Sequence, residues 1–237
     1  TIYAGTSSGV RTSPDDGATW GAALLAGVAI RGIAVDAGTP ARAFAATDSG
    51  VYMTQDAGAT WIPRSVGIPT NDLTDIVIDP ANPLNIWVGT ASAGVYRSAN
   101  GGASWSAASS GLRGLRVDTL AVEPVNAAVL LAGIRGRGVF RSLDGGTSWL
   151  AVNEELPTPG VWAAAVLPGG ATGIAGTSIG VFTLTVAAPS GNERELVIDT
   201  GGWPWNGRAV GSPAAERFVW LNRFTPAAIS FLEHMAR

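Results

Sequence analysis

Nearly the same eight residues occur four times in this chain, at an almost constant spacing. The copies are Ser13-Pro-Asp-Asp-Gly-Ala-Thr-Trp20, Thr54-Gln-Asp-Ala-Gly-Ala-Thr-Trp61, Ser98-Ala-Asn-Gly-Gly-Ala-Ser-Trp105 and Ser142-Leu-Asp-Gly-Gly-Thr-Ser-Trp149. The steps from Trp to Trp are 41, 44 and 44 residues. A fixed period in this range is typical of repeat architectures, in which each unit buries its apolar face against the next. The chain is therefore expected to be an array of similar units.

Within each copy the residue types are those of a tight turn between two strands. The Asp or Asn side chain is expected to accept hydrogen bonds from backbone N–H groups two residues further along, and Gly supplies a positive φ. The Thr-Trp or Ser-Trp pair then enters the next strand with a large ring to bury. We predict turn-forming roles for the acids and the amide, and core positions between strands for the tryptophans: Asp15, Asp56, Asn100 and Asp144; Trp20, Trp61, Trp105 and Trp149. The Asn in the third copy favours a structural role, because a metal site or catalytic site would tolerate that exchange badly.

The segments between the copies predict three more short strands for each unit. A first strand ends in an acid, as in Thr74–Asp79, and is followed by an apolar strand and by a Gly-Val-Tyr or Gly-Val-Phe strand that leads into the turn. Short strands with alternating apolar positions and Gly or Asx turns are typical of an antiparallel meander. The chain opens on a second strand at Thr1–Thr6, so the first unit lacks its innermost strand. A fifth unit without the eight-residue motif follows Pro159.

The eight-residue motif resembles the Asp-box (BNR) repeat, Ser/Thr-x-Asp-x-Gly-x-Thr/Ser-Trp, of the sialidase-like β-propeller superfamily. The resemblance covers residues 1–186 and implies an all-β propeller of four-stranded antiparallel blades, with about five blades in this chain. The ring is either closed on itself or part of a larger propeller. In this superfamily the boxes lie at the rim away from the active face, which again implies structural roles for their acids.

We predict that the propeller occupies residues 1–200 and that residues 201–237 form a linker and tail or the start of a further domain. Glu195–Thr200 has the pattern of another first strand and could close the ring beside Thr1–Thr6. Thr225-Pro226 is typical of a helix start, and a helix is expected from there to Met235. Because the chain begins at Thr1 without a Met and shows no signal peptide, we expect it to be a piece of a longer polypeptide.

Composition excludes several classes of function. The net charge of −3 provides no basic field for nucleic acid. The absence of cysteine excludes disulfides and thiolate metal sites, and no apolar run is long enough to span a membrane. His234 is the only histidine and has no Ser or Cys constellation beside it, so a catalytic triad or a His-based metal centre is not expected. We expect neither a cofactor nor a metal.

Functional residues are expected at the other end of the blades, in the loops before first strands and between second and third strands. Four arginines fall in two such loops, which we assign to neighbouring blades, and they could form one guanidinium patch for a carboxylate, a phosphate or an acidic partner. The alternative is that each is a solvated loop charge with a local partner. The predicted binding residues are Arg113, Arg116, Arg135, Arg137 and Asp72, and Asp48, Asn71, Glu154 and Glu155 lie in the same set of loops.

The chain shares sequence features with two enzyme families. Sialidases use an arginine triad, a Tyr nucleophile and an Arg-Ile-Pro motif, but the three tyrosines here lie within strands and Arg-Ile-Pro does not occur. The segment Ala46–Tyr52 resembles a stretch of Asp-box xyloglucanases in which the Asp is catalytic, which implies Asp48 as a candidate. Glycoside hydrolysis needs a second carboxylate at a defined distance. In that family a second propeller supplies it.

Two classes of function therefore remain. The first is a non-enzymatic propeller for protein recognition or complex assembly, secreted, periplasmic or on a bacterial cell surface, similar to sortilin-type receptors or photosystem II assembly factors. The second is a carbohydrate-active protein, either a lectin or a glycoside hydrolase. A sugar site would need exposed aromatic residues, and the tryptophans outside the repeat cores are Trp162, Trp203 and Trp205. The expected partner is another protein or a larger complex, or else a glycan.

Overall fold

The computed structural model describes residues 1–153, 156 and 160–186 in full, together with the backbone of three short strands after residue 193. These residues form strands and turns, and no helix occurs among them. The strands in the first 186 residues are β1 Ile2–Thr6, β2 Gly9–Ser13, β3 Ile30–Val35, β4 Ala43–Thr47, β5 Gly50–Thr54, β6 Ile62–Pro63, β7 Leu73–Ile78, β8 Ile86–Thr90, β9 Val95–Ser98, β10 Ser106–Ala107, β11 Val117–Val122, β12 Leu130–Ile134, β13 Gly138–Ser142, β14 Leu150–Ala151, β15 Val161–Val166, β16 Thr172–Thr177 and β17 Gly180–Thr185.

The seventeen strands form five antiparallel sheets in chain order, which we call blades I to V. Blade I contains β1 and β2, blades II, III and IV contain four strands each, and blade V contains β15 to β17. Every pairing joins consecutive strands, so each blade is a simple meander. The predicted all-β fold of four-stranded antiparallel blades is confirmed. Among the described residues, blade I has neither a first nor a fourth strand, and only an isolated bridge between Val10 and Leu24 follows its box. Blade V has no box to start a fourth strand.

The blades are joined face to face, with their first strands side by side. The first strands contact one another in chain order: β3 contacts β7, β7 contacts β11, and β11 contacts β15. The hydrophobic core is accordingly divided into three clusters, one between each pair of blades from II to V. Phe44, Trp87 and Leu131, at the same position in the second strands of blades II, III and IV, are all fully buried. Burial in this molecule therefore depends on contact between blades.

A glycine near the end of the second strand permits this close contact. A Cβ placed on Gly5 would lie 2.6 Å from Ile30 Cγ2, and one on Gly89 would lie 2.9 Å from Val117 Cγ1. A Cβ on Gly133 would lie 2.7 Å from Thr119 Cγ2 and 3.1 Å from Val161 Cγ1. In each case a side chain on the first strand of the next blade lies where a side chain would stand, and at Gly89 and Gly133 a threonine on the first strand of the same blade lies there too.

Two acidic side chains add polar links between blades. Asp75 on β7 accepts a hydrogen bond at Oδ2 from the backbone N of Leu120 on β11, at 2.7 Å. Its burial raises the pKa of this carboxyl, although the hydrogen bonds oppose the shift. Glu123, just after β11, accepts a hydrogen bond at Oε1 from the backbone N of Gly169 in blade V, at 2.9 Å. These contacts fix the spacing of neighbouring blades as well as their packing.

Residues 187–237 form a separate compact unit. Its described part is a three-stranded antiparallel sheet of β18 Arg194–Leu196, β19 Arg208–Ser212 and β20 Arg217–Leu221, with β19 in the centre. Residues 197–207 and the predicted helix from Thr225 to Met235 lie outside the described residues, as does Trp203. The boundary at residue 200 and closure of the ring by Glu195–Thr200 therefore stay predictions.

Candidate functional site

The meander places its loops at two opposite ends of the blades. We call one end the box face: it carries the eight-residue turns and the loops between first and second strands. The other end, the loop face, carries the turns between second and third strands and the loops that lead into each first strand. The predicted binding residues belong to the loop face.

At the loop face of blade IV, two arginines hold one carboxylate. Arg116 Nε donates to Asp118 Oδ1 at 2.8 Å, and Arg135 Nε donates to Asp118 Oδ2 at 3.0 Å. The backbone helps, because Arg135 N donates to the carbonyl oxygen of Arg116 at 3.1 Å. The Arg135 side chain is 64% exposed, and its hydrogen bond and charge interaction with Asp118 raise its pKa. The two loops lie in one blade, not in neighbouring blades as the sequence suggested.

The other two predicted arginines lie close by along the chain. Arg113 is exposed in the turn that leads into β11, and Arg137 is exposed in the turn between β12 and β13. Neither guanidinium has a hydrogen bond or an ion pair with the described residues. Among its described residues, the loop face of blade IV thus carries four arginines and one carboxylate, that of Asp118. Blade IV therefore has a cationic surface at this end.

The two candidate acids, Asp72 and Asp48, stand apart from the arginines. Asp72 is exposed before β7, where its carbonyl oxygen accepts a hydrogen bond from Ala91 N at 3.0 Å. Asp48 is exposed in the turn between β4 and β5, and its Oδ1 accepts a hydrogen bond from Ser49 Oγ at 3.2 Å. Within the described part of the chain, neither forms an ion pair with an arginine. Glu154 and Glu155 lie outside the described residues.

Asp118 was not singled out from the sequence, and its position depends on a β-bulge. All four first strands shift register at their second residue, so that one extra residue stands out of the ladder: Arg31, Thr74, Asp118 and Trp162. Bulges of this kind redirect a side chain and often lie beside functional sites. Alignment of the four first strands does not single out this position, since the second and third residues both differ in all four strands.

Trp162 brings an aromatic ring to the same end of blade V. Its side chain is 71% exposed. The preceding residue, Val161, packs against Gly133 of β12, two residues before Arg135. An exposed indole therefore stands on the strand that adjoins the arginine-bearing blade. Together these residues offer cationic hydrogen-bond donors beside an apolar ring.

On the box face, the side chains of the four repeated turns form hydrogen bonds within their own turn. Asp15 Oδ1 accepts hydrogen bonds from Thr19 N and Ser13 Oγ, and Oδ2 accepts one from Thr19 Oγ at 2.6 Å. Asp56, Asn100 and Asp144 make the equivalent contacts with the residue four positions on. The bonds thus span four residues, not two. They lower the pKa of Asp15 and of Asp56 from 3.8 to about 2. The side-chain oxygens are taken up by the turn itself.

The box tryptophans differ according to the blade that precedes them. Trp105 Nε1 donates to the Arg64 carbonyl at 2.7 Å, and Trp149 Nε1 donates to the Ala108 carbonyl at 2.9 Å, both in the preceding blade. These two rings are 6% and 3% exposed. Trp61 packs edge-on against Tyr3 of blade I, with ring centroids 6.5 Å apart. Trp20 departs from the predicted burial at 43% exposed, since no described blade precedes it.

The described residues contain no group of three or more His, Cys, Asp or Glu side chains that could hold a metal ion. In the same part of the chain, no helix has the length and hydrophobicity needed to cross a membrane.

No protein-family model and no curated protein sequence matches this chain. Solved structures do resemble it. A GH74 enzyme of Niastella koreensis superposes with a TM-score of 0.61 at 16% identity, over 91% of this chain and 34% of that one. YCF48 bound to a D1 peptide gives a TM-score of 0.53 at 14% identity, over 91% and 75%. PorZ, a bacterial surface component of the type-IX secretion system of Porphyromonas gingivalis, gives 0.54 at 15%, over 92% and 31%.

These similarities show the fold, which is a β-propeller. The chain spans about a third of the GH74 enzyme and of PorZ, and three-quarters of YCF48. The set of similar folds includes enzymes as well as surface and peptide-bound proteins, so the fold is compatible with both classes of function inferred from the sequence.

Proposed function

We propose that this chain is an exported, non-enzymatic propeller that recognises a partner protein through the loop face of blade IV. The observation that carries the proposal is the pair of arginines on Asp118. Each uses its Nε for that carboxylate, and neither guanidinium has another hydrogen-bond partner among the described residues. Their remaining N–H groups are free to bind a carboxylate of the partner, which guanidinium groups recognise in a bidentate manner.

The charge balance supports an acidic partner. Among the described residues of this surface, four arginines and one aspartate give a formal charge of +3, whereas the whole chain carries −3. A local cationic patch on an anionic molecule directs an acidic segment to one end of one blade and repels it elsewhere. The peptide bound by YCF48 supports a peptide or protein as the kind of ligand, and the surface location of PorZ supports export.

The proposal is tested with a labelled acidic peptide, such as a Glu-rich 12-mer, in a binding titration at low salt. We compare Arg135→Gln/Arg137→Gln, which keeps the Arg116–Asp118 pair, with the matched control Arg11→Gln/Arg31→Gln on blades I and II. Each charged contact that is lost should cost about 1.4 kcal/mol of binding free energy, which corresponds to about tenfold weaker binding. We therefore expect at least this loss for the first variant and little change for the control. Equal loss in both variants would contradict a localised site.

A second candidate function is carbohydrate binding or hydrolysis, and the exposed ring of Trp162 is the observation that favours it. Sugars stack on exposed aromatic rings, and the fold resembles GH74 enzymes. A glycan array with the wild type and Trp162→Ala tests binding. A polysaccharide hydrolysis assay with Asp48→Ala tests catalysis, and activity that disappears in this variant would overturn the recognition proposal.

A further inference from the structure

An open cleft of about 260 Å³ lies on the box face between blades II and III. Each blade contributes four residues to its lining: Arg42, Met53, Gln55 and Arg64 from blade II, and Leu84, Asn100, Gly101 and Ala103 from blade III. The cleft thus contains two guanidinium groups and two amides but no acidic side chain. It is at the opposite end of the blades from the proposed partner surface.

The two arginines of the cleft differ in how they are held. Arg42 is fixed: Nη2 donates to the Pro83 carbonyl at 3.0 Å, Nη1 lies 3.5 Å from Asp36 Oδ2, and the guanidinium lies over the Phe44 ring. Arg64 has no such support, because its side chain makes no hydrogen bond or ion pair with the described residues.

Both arginines also have a buried Nε atom without a hydrogen-bond partner in the described part of the chain. Buried donors of this kind are rare in folded proteins. Arg97 Nε is in the same condition, but its guanidinium already lies over Trp87 and donates to Asn85. Of the two cleft arginines, Arg64 is therefore the one whose charge has no partner among the described residues.

The box of blade III differs from the other three at the residue that lines the cleft. Asn100 replaces the Asp of the other three boxes and makes the same turn, accepting from Ser98 Oγ and Ser104 N and donating from Nδ2 to Ser104 Oγ at 2.8 Å. The turn therefore does not require the amide. What the amide changes is the charge, since an Asp at this position would place a carboxylate in the cleft lining.

Charges that face the cleft leave it cationic. Asp36 offsets Arg42, and Asp56, next to Gln55, directs its oxygens to Thr54 and Thr60 within its own turn. Arg64 remains without a counter-charge. The Arg42 guanidinium also lies close to the box turn of blade III, since a Cβ on Gly101 would lie 2.8 Å from Arg42 Nη2.

We propose that this cleft binds a small tetrahedral oxyanion, a phosphate or sulfate group, through Arg64 and Arg42 with the amides of Gln55 and Asn100. Planar guanidinium groups present several N–H donors to such oxygens, and amide groups add donors without negative charge. The presence of Asn instead of Asp in one box of four follows from this role. The proposal does not depend on the partner surface at the other face.

The test is a titration of the whole chain with inorganic phosphate and with sulfate, in which NMR chemical shifts report binding. The ionic strength is held constant, and chloride serves as the reference anion. Asn100→Asp is the informative variant, because three other boxes show that Asp supports the turn. We expect it to weaken phosphate binding at least tenfold, and Arg64→Gln to do the same. Asp144→Asn, the reverse exchange in the box of blade IV, is expected to leave binding unchanged.

The same titration with O-phosphoserine distinguishes the source of the group. Tighter binding of inorganic phosphate assigns the cleft to the free ion, and tighter binding of phosphoserine assigns it to a phosphoryl group on a larger molecule; both support the site. No saturable shift with any of the oxyanions, or equal binding by the wild type and Asn100→Asp, would overturn the proposal. Circular dichroism of each variant verifies that a lost shift does not reflect unfolding.

Discussion

Blades IV and V carry similar first and second strands, but only blade IV has a described blade on both sides. Gly133 on blade IV lies under Val161, whereas Gly176, its equivalent on blade V, has only Ala163 within 4 Å among the described residues. Trp149 is 3% exposed, whereas Trp162, Ile179 and Val181 of blade V are 71%, 63% and 73% exposed. The apolar residues of the repeat are therefore buried by the neighbouring blade and not by their own sheet.

The box turns show the opposite behaviour. Asp15 lies in blade I, which no described blade precedes, and Asp56 lies in blade II, which is covered on both sides. Both make the same hydrogen bonds to the residue four positions on, and the pKa of each is lowered to about 2. A box turn thus forms from its own eight residues. The comparison separates a local part of the repeat, the turn, from a part that depends on neighbours, the tryptophan and the glycine.

The largest effect is expected for the box tryptophans. Trp149→Ala removes a buried ring and two hydrogen bonds from Nε1, to Ala108 and Gly146, and should lower the free energy of unfolding by about 3–5 kcal/mol. Trp20→Ala, at a ring that is 43% exposed, should cost about 1 kcal/mol. Urea unfolding of both variants measures the difference. Similar losses would mean that the neighbouring blade is not what makes this residue stabilising.

A smaller effect is expected for the glycines that receive the next blade. Gly133→Ala places a Cβ 3.1 Å from Val161 Cγ1 of blade V and 2.7 Å from Thr119 Cγ2 of its own blade, and relief of these overlaps should cost about 1–3 kcal/mol. Gly176→Ala meets only Ala163 Cβ at 3.5 Å, an ordinary contact, and should stabilise blade V by up to about 1 kcal/mol. Neither glycine has a positive φ, so neither substitution adds backbone strain, and the two variants differ only in what the new Cβ contacts. Thermal unfolding that shows a loss in both variants would contradict the comparison.

The sequence was sufficient for the local part of the repeat and for the strand order. The boxes and the Gly-Val-Tyr strands follow from spacing and turn chemistry, which act over a few residues. The bulge that presents Asp118 could not be predicted in this way, because it depends on the register between β11 and β12. Nor could the cleft, since Arg42 and Asn100 are 58 positions apart and meet only when blade III packs on blade II. Contacts between blades are the part that spacing alone does not reveal.

The smallest effect, and the one that isolates the local part, concerns the box acids in blades I and II. Because the pKa of Asp15 and of Asp56 is lowered from 3.8 to about 2 in the folded chain, each contributes stability above the higher value. This contribution is lost as the pH falls through the lower value. Asp15→Asn and Asp56→Asn should each flatten the dependence of the urea midpoint on pH between 4 and 2, and by the same amount. Asn100→Asp should steepen it, because it adds one more box acid of this kind. A smaller change for Asp15→Asn than for Asp56→Asn would show that the box also draws on the blade beside it, and that the separation between local and neighbour-dependent parts is incomplete.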